Sequence, residues 1–179
     1  MIAGFFQGPL VRIIPVGLIL LALQRTILVE LQVDGVIIQL MTAMAAAAGV
    51  AGGSERGAVF GFVLGVMFDL AEGTPLGSTA AAMTVAGVVG GLLALIAADP
   101  QWWLSAIFTA LGTAAGVAMV PVVRLFIGEE EPFQQQLAVV LPIVAIAGAV
   151  LSPLLVPLAR WCLRMKKAEW KQPTADVAT

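Results

Sequence analysis

Asp69 and Asp99 are the pair of residues in this sequence that would have to carry any acid–base chemistry inside the apolar part of the chain. Two carboxylates close enough to share a proton can divide the roles of general acid and base. Asp69, however, precedes the fourth apolar run and Asp99 closes it, which separates them by on the order of 20 Å along a helix. Other routes fail on the residue inventory. The chain has 179 residues and no His, and its three Lys, at 166, 167 and 171, all fall in the last stretch. A serine nucleophile needs a neighbouring base, which here would have to be Lys. A protease-type zinc site lacks its His ligands. Cys162, the one Cys, cannot form an internal disulfide and reads as a packing or lipid-facing residue. The expectation is a protein without enzymatic activity, metal or cofactor.

The elements that hold these residues are set by hydropathy. Apolar residues make up 60% of the chain and charged ones 11%, and the charges gather in short clusters between apolar runs. A helix that crosses a bilayer needs about 20 apolar residues. Six such runs fit, over approximately 12–31, 36–52, 57–72, 76–98, 102–126 and 137–163. They make residues 1–165 one all-α, polytopic membrane domain, followed by a basic and polar cytoplasmic tail over 166–179. Asp34-Gly35, Gly52 to Arg56, Asp99-Pro100 and the acidic Glu129-Glu130-Glu131 mark the turns. The sixth run contains Pro142, Pro153 and Pro157 and is expected to be kinked or broken. The first run has no convincing cleavage site and counts as a helix rather than a signal.

The third run differs from the rest. Its uncharged part, from Gly57 to Phe68, rises only about 18 Å. Either Asp69 lies within the membrane, or the helix gives way to irregular backbone at Gly73-Thr74-Pro75-Leu76-Gly77. A carboxylate in lipid needs a partner or water. Arg25 and Arg124 fall on the same half and could pair with it, or it could bond to the broken backbone near Pro75. The sharper possibility is that Asp69 lines a cavity or meets another protein. Gly57, Gly61 and Gly65 precede it at every fourth position, and Gly87 with Gly91 and Gly112 with Gly116 repeat the spacing. Such rows let helices approach closely. They serve either the packing of the bundle itself or the docking of a partner's helix, and they permit a homodimer.

Charge sets the orientation. With six spans both termini share one side, which then holds Arg12, Arg56, Arg160, Arg164, Lys166, Lys167 and Lys171, whereas Arg25 and Arg124 fall on the other. The basic side is cytoplasmic, so the chain is expected to be N-in and C-in. All four Trp residues map to the same interface. Glu55-Arg56 opens the third helix as a topology signal and cap, or as a cytoplasmic contact. Arg160, Arg164, Lys167 and Lys171 share a helical face that suits anionic lipid headgroups or, alternatively, a protein. Nothing points to nucleic acid.

Arg56-Gly57-Ala58, Gly61-Phe62, Gly65, Phe68-Asp69-Leu70, Gly73 and Pro75-Leu76-Gly77 together resemble MreD, the rod shape-determining membrane protein family of bacteria. The motif covers about twenty residues, and the rest agrees in length and hydropathy. Where the family often has Pro before an Asp ahead of helix two, this chain has Asp34-Gly35-Val36-Ile37. The resemblance implies a non-enzymatic scaffold of the cell-elongation complex in the bacterial cytoplasmic membrane. It would bind MreC and be linked to MreB, RodA and a class B penicillin-binding protein. On that resemblance, the Gly57, Gly61 and Gly65 face, or its equivalents in helices four and five, would receive the MreC helix. The family is also similar in overall helical fold to the substrate-binding S-components of vitamin importers. The alternative is therefore an importer subunit of that kind. Such subunits often carry Ala-x-x-x-Ala in helix one, where this chain has only Ala22.

Overall fold

The computed structural model describes residues 10–28, 38–96, 101–128 and 137–163, and every regular element among them is helical. The elements are α1 (Leu10–Leu23), which continues as a π-helical turn over Gln24–Leu28, then α2 (Leu40–Gly52), α3 (Ser54–Glu72), α4 (Ser78–Ile96), α5 (Trp102–Ile127) and α6 (Leu137–Cys162). The turn at Asp34-Gly35, the stop at Asp99-Pro100, the Glu129 to Glu131 loop and the tail from Arg164 onward, with Lys166, Lys167 and Lys171, lie outside the described residues. So does Asp99, and with it any test of the aspartate pair.

Contacts between the helices show that they alternate in direction. Gln24, at the end of α1, bonds the backbone N–H of Met41 at the start of α2. Gly53, with φ of 85°, is the single residue between α2 and α3. Such a φ is open to glycine at little cost. Asp69, near the end of α3, bonds the first turn of α4. Along α5, Gly112 lies against Gly90 and Gly116 against Ala82 and Ala86 of α4, so the two helices are antiparallel, and Gly148 of α6 meets Thr113 of α5 midway along both. The circuit closes where the Arg12 guanidinium at the start of α1 donates to the carbonyl of Trp161 at the end of α6, 3.0 Å away.

α2 is the centre of the bundle. It packs on α3, α4, α5 and α6, and every residue from Leu40 to Ala51 is buried. Its composition explains the position. LMTAMAAAAGVAG has short side chains on all faces, so neighbours can close in from every direction. Large apolar side chains fill part of the core, such as Phe60, Leu64 and Leu155, but many others lie on the outside. Ile14, Leu18 and Ile19 of α1, Leu111 of α5, and Val150 and Leu154 of α6 are all exposed. A chain in water would bury such a surface, and a chain in lipid has no reason to.

Three helices, α4, α5 and α6, are long and apolar enough to cross a membrane, and α2 is a shorter apolar helix. α3 is as long as α4, at 19 residues, but carries Glu55, Arg56, Asp69 and Glu72. Of the kink or break expected in the last helix, the break does not occur. α6 is not broken by its prolines but runs unbroken for 26 residues with Pro142, Pro153 and Pro157 inside it. All three prolines are exposed, on the outward side of the helix, and each leaves the carbonyl four residues before it without its N–H partner.

Candidate functional site

The motif residues from Gly57 to Gly77 fold into one unit, the hairpin of α3 and α4, which share the most extensive helix–helix contact in the bundle. Asp69 organises its turn. The side chain is 1% exposed and faces the N-terminus of α4. One carboxylate oxygen accepts the hydroxyl of Thr74 at 2.8 Å, the backbone N–H of Thr79 at 3.1 Å and the hydroxyl of Ser78 at 3.4 Å. The other accepts the N–H groups of Gly77 at 2.8 Å and Ala80 at 3.3 Å. The first N–H groups of a helix have no partner within it and attract an anion. Asp69 therefore caps α4 from the preceding helix.

The irregular backbone expected at 73–77 is present and glycine makes it possible. Gly73 ends α3 in the left-handed conformation at φ 70°, and its N–H returns to the carbonyl of Asp69 at 3.0 Å. Gly77, at φ 98°, donates the short bond to the carboxylate. Pro75 accepts from the N–H of Ser78 through its carbonyl at 3.1 Å. The helix passes Asp69 to end at Glu72, and the backbone beyond is bent back onto the same carboxylate.

The arginines expected as partners of Asp69 do not serve it. Arg25 pairs with Glu72 at 3.1 Å, one turn further along α3. The donors on residues 74–80 already surround the carboxylate, and a guanidinium would have to displace them. Arg124 is exposed at the end of α5 and makes an interaction of its own. Arg56 is exposed at the start of α3, and Arg160 is half-buried in the last turn of α6.

The glycine rows face inward, onto other helices of the same chain. A Cβ on Gly57 would lie 2.5 Å from the Cα of Gly49 and 2.6 Å from the carbonyl oxygen of Gly87. One on Gly61 would strike the carbonyl of Met83, and one on Gly65 the backbone of Ala80. Gly91 faces the backbone of Ser54, Gly112 lies against Ala46 and Ala86, and Gly116 against Ala86 and Thr42. The seven glycines are buried and the groove of α3 is filled by α4, leaving no room for a further helix.

Some structural roles had no counterpart in the sequence reading. Gln24 is 7% exposed and accepts the N–H of Met41 at 3.1 Å, so that it starts α2 as Asp69 starts α4. Its only signal was a polar residue late in an apolar helix. Gly49 and Gly90 make approaches as close as those of the motif glycines; Gly49 extends the four-residue spacing back through Gly53, whereas Gly90 has no glycine four residues away. Arg12 lies over the ring of Trp161, 4.8 Å from its centre, in addition to bonding its carbonyl. No grouping of three His, Cys, Asp or Glu that could hold a metal occurs among the described residues.

Compared with protein-family models, with curated proteins and with solved structures, the chain matches none.

Proposed function

We propose that this chain is a six-span scaffold of the bacterial cytoplasmic membrane with both termini inside, without reaction chemistry of its own. It would act as MreD does in the cell-elongation complex, holding MreC and linking it to MreB, RodA and the class B penicillin-binding protein. The observation that carries this reading is the coherence of the stretch on which the resemblance rests. Gly57, Gly61 and Gly65 form the seam of a hairpin, Asp69 caps its second helix, and Gly73 and Gly77 shape the turn between. These spacings are therefore the requirements of one fold unit rather than a coincidence of scattered residues.

Two further features support it. The alternation of the helices brings the starts of α1, α3 and α5 to the end of the bundle where α6 finishes. That end carries Arg12, Arg56 and Arg160, whereas Arg25 and Arg124 lie at the other. The more basic end is cytoplasmic in most membrane proteins. Because the glycine grooves are filled from within, a partner helix has to lie on the outer apolar surface, not between α3 and α4.

The test is depletion of the protein in its native host, with cell width and peptidoglycan insertion as readouts, combined with affinity purification from membranes. Loss of rod width control and recovery of MreC are expected. Unaltered cell width, or recovery of an ATPase module in place of MreC, would overturn the assignment. The second result would point to an importer subunit.

A further inference from the structure

α1 and α3, which pack side by side, carry short apolar intervals. The exposed stripe of α3 runs through Val59, Phe62 and Leu70. It is bounded by the exposed Arg56 at one end and by Glu72, paired with Arg25, at the other. From Arg56 to Glu72 the helix rises about 24 Å. α1 runs in the same direction, with Gly17 against Leu64 and Met67 of α3. Its charged residues, Arg12 and Arg25, are only about 20 Å apart. Both are held in place, one by the carbonyl and ring of Trp161 and the other by Glu72. Asp69 does not interrupt the stripe, because it is turned inward and capped.

The flank built by α5 and α6, across α2 from α3, is longer. α5 has no charged residue before Arg124 and α6 none before Arg160. The rise from Trp102 to Arg124 is about 33 Å, and from Leu137 to Arg160 about 35 Å. A hydrocarbon core is about 30 Å thick. The long flank matches it and the short flank falls below it by on the order of 6 Å. Tilting the bundle cannot repair the difference, since tilt only shortens the projection of a helix on the membrane normal. The lipid must adapt instead.

We propose that the α1–α3 flank is a lipid-binding surface that selects short acyl chains and thins the bilayer beside it, while the α5–α6 flank takes lipid of ordinary length. This rests on the membrane-spanning reading above. The experiment uses the full chain with Cys162→Ala and a bimane label at Phe62→Cys on α3 or Leu111→Cys on α5. Both native side chains are about half exposed, at 53% and 49%. The protein is placed in dioleoylphosphatidylcholine vesicles containing dibrominated phosphatidylcholine derived from either the dimyristoleoyl or the dierucoyl lipid. The ratio of short-chain to long-chain quenching is expected to be on the order of threefold higher at position 62 than at 111. Labels at Val59→Cys and Val150→Cys repeat the comparison at a second site on each flank. Equal ratios on the two flanks would overturn the inference and leave the membrane reading standing. No quenching at any site would overturn the membrane reading, and the inference with it.

Discussion

The carboxylate of Asp69 receives the backbone N–H of Gly77 at 2.8 Å, joining the last turn of α3 to the start of α4. Replacement by Ala leaves the N–H groups of Gly77, Thr79 and Ala80 without their acceptor, the first two half-buried and the last buried. A buried donor without a partner costs about 1–3 kcal/mol, and Asp69→Ala should lower stability by an amount in that range, set mainly by the buried N–H of Ala80. Asp69→Asn should also destabilise, because its amide turns a donor toward donors. Unfolding in mixed micelles measures both. A variant as stable as the parent would show that the cap contributes nothing.

Gly61 and Gly73 test two different demands on glycine. Gly61→Ala places a methyl group against the carbonyl of Met83 and should cost about 1–3 kcal/mol by forcing α3 and α4 apart. A Cβ on Gly73 meets nothing within 4 Å, so Gly73→Ala should cost only the strain of φ 70°, about 1–2 kcal/mol. If loss of stability at position 61 came with normal packing of the hairpin, as judged by cross-linking across the seam, the seam would not be the cause.

Arg12 and Arg25 should differ in weight. Arg25 and Glu72 pair at 3.1 Å with side chains 52% and 24% exposed, and Arg25→Ala should cost less than about 1 kcal/mol. Arg12 both donates to the Trp161 carbonyl and lies over its ring. Arg12→Ala should cost about 1–2 kcal/mol, and Arg12→Lys should recover only part of it, since Lys lacks the planar group that stacks. Equal effects at the two arginines would contradict the closure of the bundle by α1 and α6.

Cys162 is fully buried in the last turn of α6. It should resist a maleimide in the folded protein and react once the bundle opens. Labelling across a denaturant series therefore follows the same transition as the stability measurements above. Rapid labelling under native conditions would show that the end of α6 is open.

A reporter fused after Thr179 should remain in the cytoplasm. Combined replacement of Arg12, Arg56 and Arg160 by Gln should raise the fraction of chains in which it is exported, because these three residues supply the charge bias of the described part of that end. Export of the reporter from the unaltered chain would reverse the orientation proposed here.

The sequence alone was enough to identify an apolar helical chain, because composition and run length decide that question without reference to any neighbour. It also offered irregular backbone at 73–77 as one of two alternatives, since Gly73 and Gly77 permit conformations closed to other residues and Pro75 fixes its own. It could not say what Asp69 touches. Two arginines, the backbone and a partner protein were all consistent with one carboxylate, and only the return of the chain at Gly77 brought five donors to it.

The same division holds for the glycines. Their spacing is a property of one helix and announces that something will come close. What comes close is a property of the whole bundle, and it proved to be α2, α3 and α4 of the same chain. The central place of α2 was hidden for a related reason. A helix of alanines has no polar face to show which side is inward, so its burial on every side appears only when the surrounding helices are in place. Periodicity records one helix against its surroundings, and lipid and protein are both apolar surroundings. Tertiary contacts alone tell them apart.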